Sequence, residues 1–219
     1  MYSFQALVEK LRPTFEVEPL ELPGRGRRIK EALLQTKKDA VADLLRQIRS
    51  RRTKAPFLIF GHSMGATLGF AIVKELELSG DAPICFIASG NAGPNVKEKT
   101  SYSQLPRDEF FDKLREMGGI TSELSANEEL LEFFEPILRA DFALLERAEE
   151  KITYKINTPV YAIMGSTEEY VEHIGNWGKY TTGHFEQEVL PGNHFFVFDH
   201  LDNLKAIIEK ARKLKAAAC

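Results

Sequence analysis

Ala55-Pro56-Phe57-Leu58-Ile59-Phe60-Gly61-His62-Ser63-Met64-Gly65-Ala66-Thr67-Leu68-Gly69-Phe70-Ala71-Ile72-Val73 is the stretch whose reading decides the fold. An apolar run of strand length ends in G-x-S-x-G, and a second apolar run, of helix length, follows at once. Strand, G-x-S-x-G turn and helix in that order form the context of a nucleophile elbow. In such an elbow Ser63 occupies a strained turn at the C-terminal end of a strand, so its hydroxyl projects above the sheet. The flanking glycines, Gly61 and Gly65, are expected to be required because a Cβ would crowd the strand and helix around so tight a turn. The start of the following helix adds partial positive charge and free N–H groups near the reacting centre. The five-residue motif alone is weak, since an ordinary strand-to-helix turn in a buried α/β unit would carry the same letters.

The surrounding chain reads the same way. Five segments read as strands: Phe15–Leu22, Pro56–Phe60, Pro83–Ala88, Pro159–Met164 and Phe185–Leu190. Three of them hold the short continuous apolar runs of buried parallel strands. Helical patterns lie at Ser3–Leu11, Thr36–Arg51, Ala66–Leu78 and Leu201–Ala216. This alternation predicts an α/β fold, a mostly parallel sheet flanked by helices. The length of 219 residues predicts a single domain spanning 1–219 with a sizeable core. There is no internal repeat and no low-complexity linker.

Composition excludes several classes. Hydrophobic content of 43% and charged content of 28% are those of a soluble globular protein. A net charge of −3 gives no general case for nucleic acid or membrane binding. No apolar run spans a bilayer, and the amphipathic start MYSFQALVEKLRP lacks a signal-peptide core, so the cytoplasm is expected. Two cysteines, Cys85 and Cys219, make neither a disulfide framework nor a metal site. Cys85, inside an apolar run, reads as a small buried hydrophobe.

The segment from Tyr102 to Lys151 breaks the rhythm. It reads as wholly helical and too long for a simple crossover. Pro106-Arg107-Asp108 opens one helix and Gly118-Gly119 closes it. Ser125-Ala126-Asn127-Glu128 is a capping-box pattern before a second. Leu130, Leu131, Phe133, Phe134, Ile137, Leu138, Phe142, Leu144 and Leu145 then supply an apolar face. Inserted between sheet strands downstream of the nucleophile, this segment is expected to be a lid over an apolar substrate channel at the C-terminal edge of the sheet. Phe133, Phe134, Leu138 and Phe142 are the candidate contacts to substrate. The plainer alternative is a helical pair that thickens the core.

A serine hydroxyl needs a base and an acid that orients it. In α/β-hydrolases the chain order is Ser, then Asp or Glu, then His. His194, in Leu190-Pro191-Gly192-Asn193-His194-Phe195-Phe196, follows the last predicted strand, where the base belongs. Of the other histidines, His62 sits inside the elbow and is expected to pack structurally, His173 and His184 fall in polar loops, and His200 marks a helix start. The acid should follow Pro159–Met164. There Gly165-Ser166-Thr167-Glu168-Glu169 offers two glutamates and no aspartate. Glu168 is favoured and Glu169 stays open as the alternative.

With these residues in place, the chain resembles the type II thioesterases, the free-standing editing hydrolases of nonribosomal peptide and polyketide synthases, a group that includes medium-chain fatty-acid thioesterases. Four motifs carry the resemblance: Leu22-Pro23-Gly24-Arg25-Gly26, Gly61-His62-Ser63-Met64-Gly65-Ala66, Ile137-Leu138-Arg139-Ala140-Asp141-Phe142, and Pro191-Gly192-Asn193-His194-Phe195-Phe196. The first and third are far more specific than G-x-S-x-G. The resemblance implies an α/β-hydrolase fold with a lid at about 102–151, Ser63 as nucleophile and His194 as base. It places the family's acid, normally an aspartate three residues after a glycine, at Glu168. Family members usually begin with an apolar strand and a Pro-x-Ala-Gly-Gly-like loop that donates one of two oxyanion N–H groups. Here Met1-Tyr2-Ser3-Phe4-Gln5 matches the helix after that loop, which leaves the backbone N–H of Met64 as the identifiable donor. Truncation, a substitute segment or an impaired protein would each account for this. One lost donor is worth about 10²–10³ in turnover, so low turnover and reduced stability are expected relative to a longer version.

The resulting expectation is a serine thioesterase that releases acyl or aminoacyl groups from phosphopantetheine on acyl or peptidyl carrier proteins. No metal and no dissociable cofactor are expected. Because carrier proteins of this kind are acidic along their docking helix, the resemblance also implies a basic docking surface. Arg25, Arg27, Arg28 and the run Arg46 to Lys54 are candidates, against the alternative of ordinary solvated charge. Rival readings are a carboxylesterase on small free esters and a non-catalytic, hydrolase-like protein that binds acylated carriers. Acyl length, partner synthase and oligomeric state stay open, with a monomer as one possibility.

Overall fold

Phe86-Ile87-Ala88-Ser89 and Val160-Tyr161-Ala162-Ile163-Met164-Gly165 are buried at every position. Only strands covered on both faces can be buried so continuously. A computed structural model, which describes residues 4–96, 101–120, 127–147 and 151–213, shows how they are covered. Strands β1 (Ile59–His62), β2 (Phe86–Ser89), β3 (Val160–Gly165) and β4 (Phe185–Leu190) pair in parallel, in the order β1-β2-β3-β4. Alternate residues serve opposite layers. Cys85, Ile87, Tyr161, Ile163 and Leu190 pack against helices α1 (Gln5–Leu11) and α6 (Leu201–Lys213). Phe86, Ala88, Val160, Ala162 and Met164 pack against α3 (Met64–Leu78) and the 3-10 helix Val171–Lys179, whose Trp177 is fully buried. Helix α2 (Lys37–Arg51) lies outside α3, joining Ala40, Leu44 and Ile48 to Leu68, Ile72 and Leu76.

The sheet differs from the expected one at its start. Phe15–Leu22 forms no strand. Its Glu21 N–H donates to the Gln47 side chain, and the Pro19 carbonyl accepts from Arg51. Proline at 19 has no N–H to give a ladder. Phe15 and Val17 pack on the α1/α6 side, whereas Leu20 and Leu22 pack on the α2 side. The segment therefore wraps from one layer to the other, and its alternation reflects that passage. The strands expected from Pro56 and Pro83 begin about three residues later, once past the prolines and once ladder bonds such as Ile59 N–H to Cys85 O (3.1 Å) form. Helix α3 starts two residues earlier than expected, at Met64.

Between β2 and β3 lie the 3-10 helix Tyr102–Gln104, helix α4 (Arg107–Glu116) and helix α5 (Glu128–Glu146). Gly118, at φ 84°, ends α4, with the N–H groups of Gly118 and Gly119 donating to Arg115 O and Leu114 O. Asn127 caps α5 by accepting the Leu130 N–H at 3.1 Å. The expected capping box began at Ser125, outside the described residues. Phe110, Phe111, Leu114 and Leu131 give this insertion a small core of its own. Leu144 of α5 is buried in the α2/α3 layer and ties the insertion to the body, and further contacts support it. Arg25 forms a bidentate pair with Asp141 (2.6 and 2.8 Å), and the Gly118-Gly119 turn lies against Asn193 and Phe195.

The elbow glycines part company. A Cβ on Gly61 would stand 2.1 Å from Gly65 O, and α3 can cross β1 only because it is missing. A Cβ on Gly65 would meet nothing within 4 Å, so the expectation that both are sterically required holds for Gly61 alone. Gly61→Ala should therefore cost about 3 kcal/mol or more in chemical denaturation, since backbone must move. Gly65→Ala should leave stability unchanged or raise it by up to about 1 kcal/mol, as glycine is replaced in a helical first turn.

Candidate active site

Three loops at the C-terminal ends of β1, β3 and β4 meet above the sheet. After β1, Ser63 has φ 54° and ψ −118°, a conformation rare for any residue with a Cβ. Holding it there costs about 1–3 kcal/mol, which the surroundings must supply. Its N–H donates to Ser89 O (2.8 Å), and its carbonyl accepts from Ala66 N–H (2.9 Å). The amide of Met64, first residue of α3, has no carbonyl to reach within the helix and is available to a ligand.

After β3 the chain turns through Gly165-Ser166-Thr167 to Glu168. One Glu168 oxygen accepts the Gly165 N–H at 2.6 Å, and the other lies 2.6 Å from His194 Nδ1. Glu168 is buried, whereas Glu169 is exposed. The loops of Glu168 and His194 are stitched together: Thr167 donates its N–H and its hydroxyl to Gly192 O, both at 3.0 Å. Gly165 permits this, because a Cβ there would stand 2.4 Å from Asn193 O. Asn193 in turn accepts the Phe195 N–H at 2.9 Å, and so shapes the loop that carries His194. A carboxylate at Nδ1 places the proton there and leaves Nε2 as the acceptor. No hydrogen bond joins Ser63 Oγ to His194 among the described residues; such contacts commonly tighten only when substrate binds.

His62 occupies a site that sequence reasoning assigned to packing alone. Its Nδ1 is hydrogen-bonded to Ser89 Oγ at 3.0 Å, its Nε2 is buried with no hydrogen-bond partner among the described residues, and its ring centroid lies 4.9 Å from that of His194. Burial, with His194 as the lesser cause, pulls its pKa down to about 3, so the ring is neutral. Burial likewise pushes the Cys85 thiol up to about 12.

The four apolar candidates on α5 divide into two pairs. Leu138 and Phe142 pack into the insertion's own core, Phe142 against Tyr102 and Phe110. Phe133 and Phe134 are 50% and 37% exposed and touch edge to face. The Arg25–Asp141 pair was not foreseen, although both residues lie in the two most specific motifs. Burial raises the Asp141 carboxyl against the opposing pull of Arg25. The basic candidates for docking are largely spoken for. Arg28 lies on Asp43 and Glu31, Arg46 on Asp43, Arg51 beside Glu18 and Arg52 on Asp81. Arg27, Arg49 and Lys54 are exposed. Among the described residues no group of three or more His, Cys, Asp or Glu could hold a metal ion, and no helix is long and apolar enough to cross a membrane.

Comparison with known proteins adds a lineage to this geometry. The family model described as "Thioesterase domain" matches residues 1–214. Linear gramicidin dehydrogenase LgrE of Brevibacillus parabrevis is 32% identical over 208 residues, covering 92% of this chain and 79% of that protein. Among solved structures, the RedJ thioesterase from the prodiginine biosynthetic pathway in Streptomyces coelicolor superposes with a TM-score of 0.86 at 27% identity, over 94% of this chain and 84% of that one. ClbQ from the colibactin NRPS/PKS pathway gives a TM-score of 0.86 at 27% identity, over 97% and 93%.

The half-buried His62 makes a measurable demand on stability. Its folded pKa is depressed, so below the ordinary value of about 6.5 the unfolded chain takes up a proton that the folded chain refuses. Stability is thus lost as pH falls from about 6.5 toward 3. Between pH 7 and pH 5 this one group should remove roughly 2 kcal/mol. Chemical denaturation at both pH values should show that loss, and His62→Phe should lack it.

Proposed function

Since the chain belongs to the thioesterase-domain family, we propose that it hydrolyses acyl or aminoacyl thioesters carried by phosphopantetheine on acyl or peptidyl carrier proteins, with Ser63, His194 and Glu168 as the catalytic set. The observation that carries the site assignment is the Glu168–His194 contact of 2.6 Å, built at two strand ends beside the strained Ser63. The carrier-bound substrate is supported by the likeness to ClbQ of an NRPS/PKS pathway and RedJ of prodiginine biosynthesis.

In this reading His194 Nε2 takes the Ser63 proton as Oγ attacks the thioester carbonyl. Glu168 holds Nδ1–H and stabilises the imidazolium. The Met64 N–H donates to the oxygen that gains charge. Collapse of the tetrahedral intermediate breaks the C–S bond, His194 returns the proton to the departing thiol, and Ser63 is left acylated. Water then gives a proton to His194 and attacks the ester. The acid leaves and Ser63 regains its proton. Phe133 and Phe134 are the acyl-contacting residues of the lid, while Leu138 and Phe142 keep the lid folded.

Ser63→Ala should abolish the acyl-enzyme and bring turnover of an acyl-carrier thioester near background. Wild-type turnover in that variant would defeat the mechanism. Glu168→Gln should lower turnover by roughly 10²–10⁴-fold, and Glu169→Gln by far less; the reverse order would make Glu169 the acid. Faster hydrolysis of a p-nitrophenyl ester than of the carrier-bound thioester would favour the carboxylesterase alternative.

The lid residues separate by their surroundings. Phe142→Ala should cost up to about 3 kcal/mol of stability. Phe134→Ala should leave the melting temperature nearly unchanged and alter the preference for acyl length. Rates on acetyl and medium-chain thioesters, measured beside melting curves, check both.

A further inference from the structure

His62 is the residue before the nucleophile, and its side chain meets the base, as Glu168 and Phe195 do from other sides. The two imidazole centroids are 4.9 Å apart with planes inclined by 39°. Phe4, Phe195 and Phe196 lie around the His62 ring, with centroids 6.0, 6.0 and 6.2 Å away. Ser89 Oγ anchors its Nδ1 at 3.0 Å, on the same residue whose carbonyl accepts the Ser63 N–H. Gly90 makes room for the pair: at φ 58°, a Cβ there would stand 2.5 Å from His62 Cε1 and 3.2 Å from His194 Cε1.

We propose that His62 is a positioning residue for the reaction, an uncharged spacer that sets the reach of His194 to Ser63. Ser63 and His194 arrive on different loops, from the ends of β1 and β4. Glu168 fixes one edge of the His194 ring, and a hinge about that edge is left for another contact to stop. His62 supplies the stop. Because it is bonded to Ser63 through the backbone, its ring measures distance from the nucleophile itself. It must also be neutral, since a second positive charge at 4.9 Å would oppose the proton that His194 has to accept. The groups facing it are consistent with that. The chain just before α1 presents the Phe4 ring, β2 the Ser89 hydroxyl, and the base loop two phenyl rings and His194, whose partner Glu168 lies at the Nδ1 edge.

The inference rests on the Ser63–His194 reading. Ser63→Ala tests that reading alone: retained turnover there would fail the reading whatever His62 does. For His62, kcat, KM, the rate of fluorophosphonate labelling of Ser63 and the melting temperature are compared in wild type, His62→Ala and His62→Phe. His62→Ala should lower kcat by about 10–100-fold, the scale of a 1 Å misplacement, with KM within about threefold. Labelling should slow by a similar factor, as it needs the same base. His62→Phe, an uncharged ring of similar reach, should restore most of both. A His62→Ala protein that melts earlier but keeps its kcat and labelling rate per folded molecule would overturn the proposal. So would a His62→Phe variant as slow as His62→Ala. If His62→Ala does not fold, nitrogen-15 NMR of the wild type decides the charge: a ring neutral from pH 5 to 8 is expected, and one titrating near pH 6.5 would overturn the proposal.

Discussion

A hydrogen atom stands at Gly61 where a methyl group would collide with the Gly65 carbonyl oxygen, 2.1 Å from the position of its carbon. That clearance lets α3 leave β1 at once and cross it closely. The sharp departure forces Ser63 into a positive φ, and the positive φ lifts the hydroxyl off the sheet. The rest of the core serves this crossing. Gly69, one helical turn further on, lets α3 sink onto Phe86, and Phe70 and Val73 continue the contact into the layer that holds Trp177. The strain at Ser63 is tolerable because the layers on both sides leave α3 no other place to go.

Glu168 and His194 are held by a different principle. Their loops are short, and backbone groups satisfy them. Glu168 spends one oxygen on a backbone N–H and the other on the imidazole, so its carboxylate has little freedom to turn. Two bonds from Thr167 to Gly192 O bind its turn to the loop that carries His194. Rigid strand ends stitched by main-chain bonds place side chains more closely than long flexible loops do. The insertion between β2 and β3 reaches this region too, since the turn after α4 rests on Asn193 and Phe195, the neighbours of His194.

Much of this was legible in the chain because it is local. The continuous apolar runs of β2 and β3 record burial on both faces. The glycine before Glu168 and the Pro-Gly-Asn before His194 record the turns that carry them. Phe15–Leu22 misled because alternation has two physical causes, a pleated strand or an extended segment passing between layers, and Pro19 was the sign of the second. The choice between Glu168 and Glu169 depends on which way one turn faces, which adjacent letters cannot encode. Helical periodicity marked Phe134 and Phe142 alike as apolar, although one is exposed and the other packs against the insertion's own core. The Arg25–Asp141 pair spans 116 positions, and nothing in either neighbourhood names the partner.

Cys85 has a consequence for chemical selectivity. A thioester is an electrophile that any thiolate can intercept, and its hydrolysis releases another thiol. With its pKa pushed up to about 12, Cys85 is ionised to roughly one part in 10⁵ at neutral pH, and it lies sealed between the sheet and the α1/α6 layer. Burial and the raised pKa both disfavour its capture of an acyl group by exchange. Sulfur is present within the sheet, yet it is kept out of the sulfur chemistry performed above it.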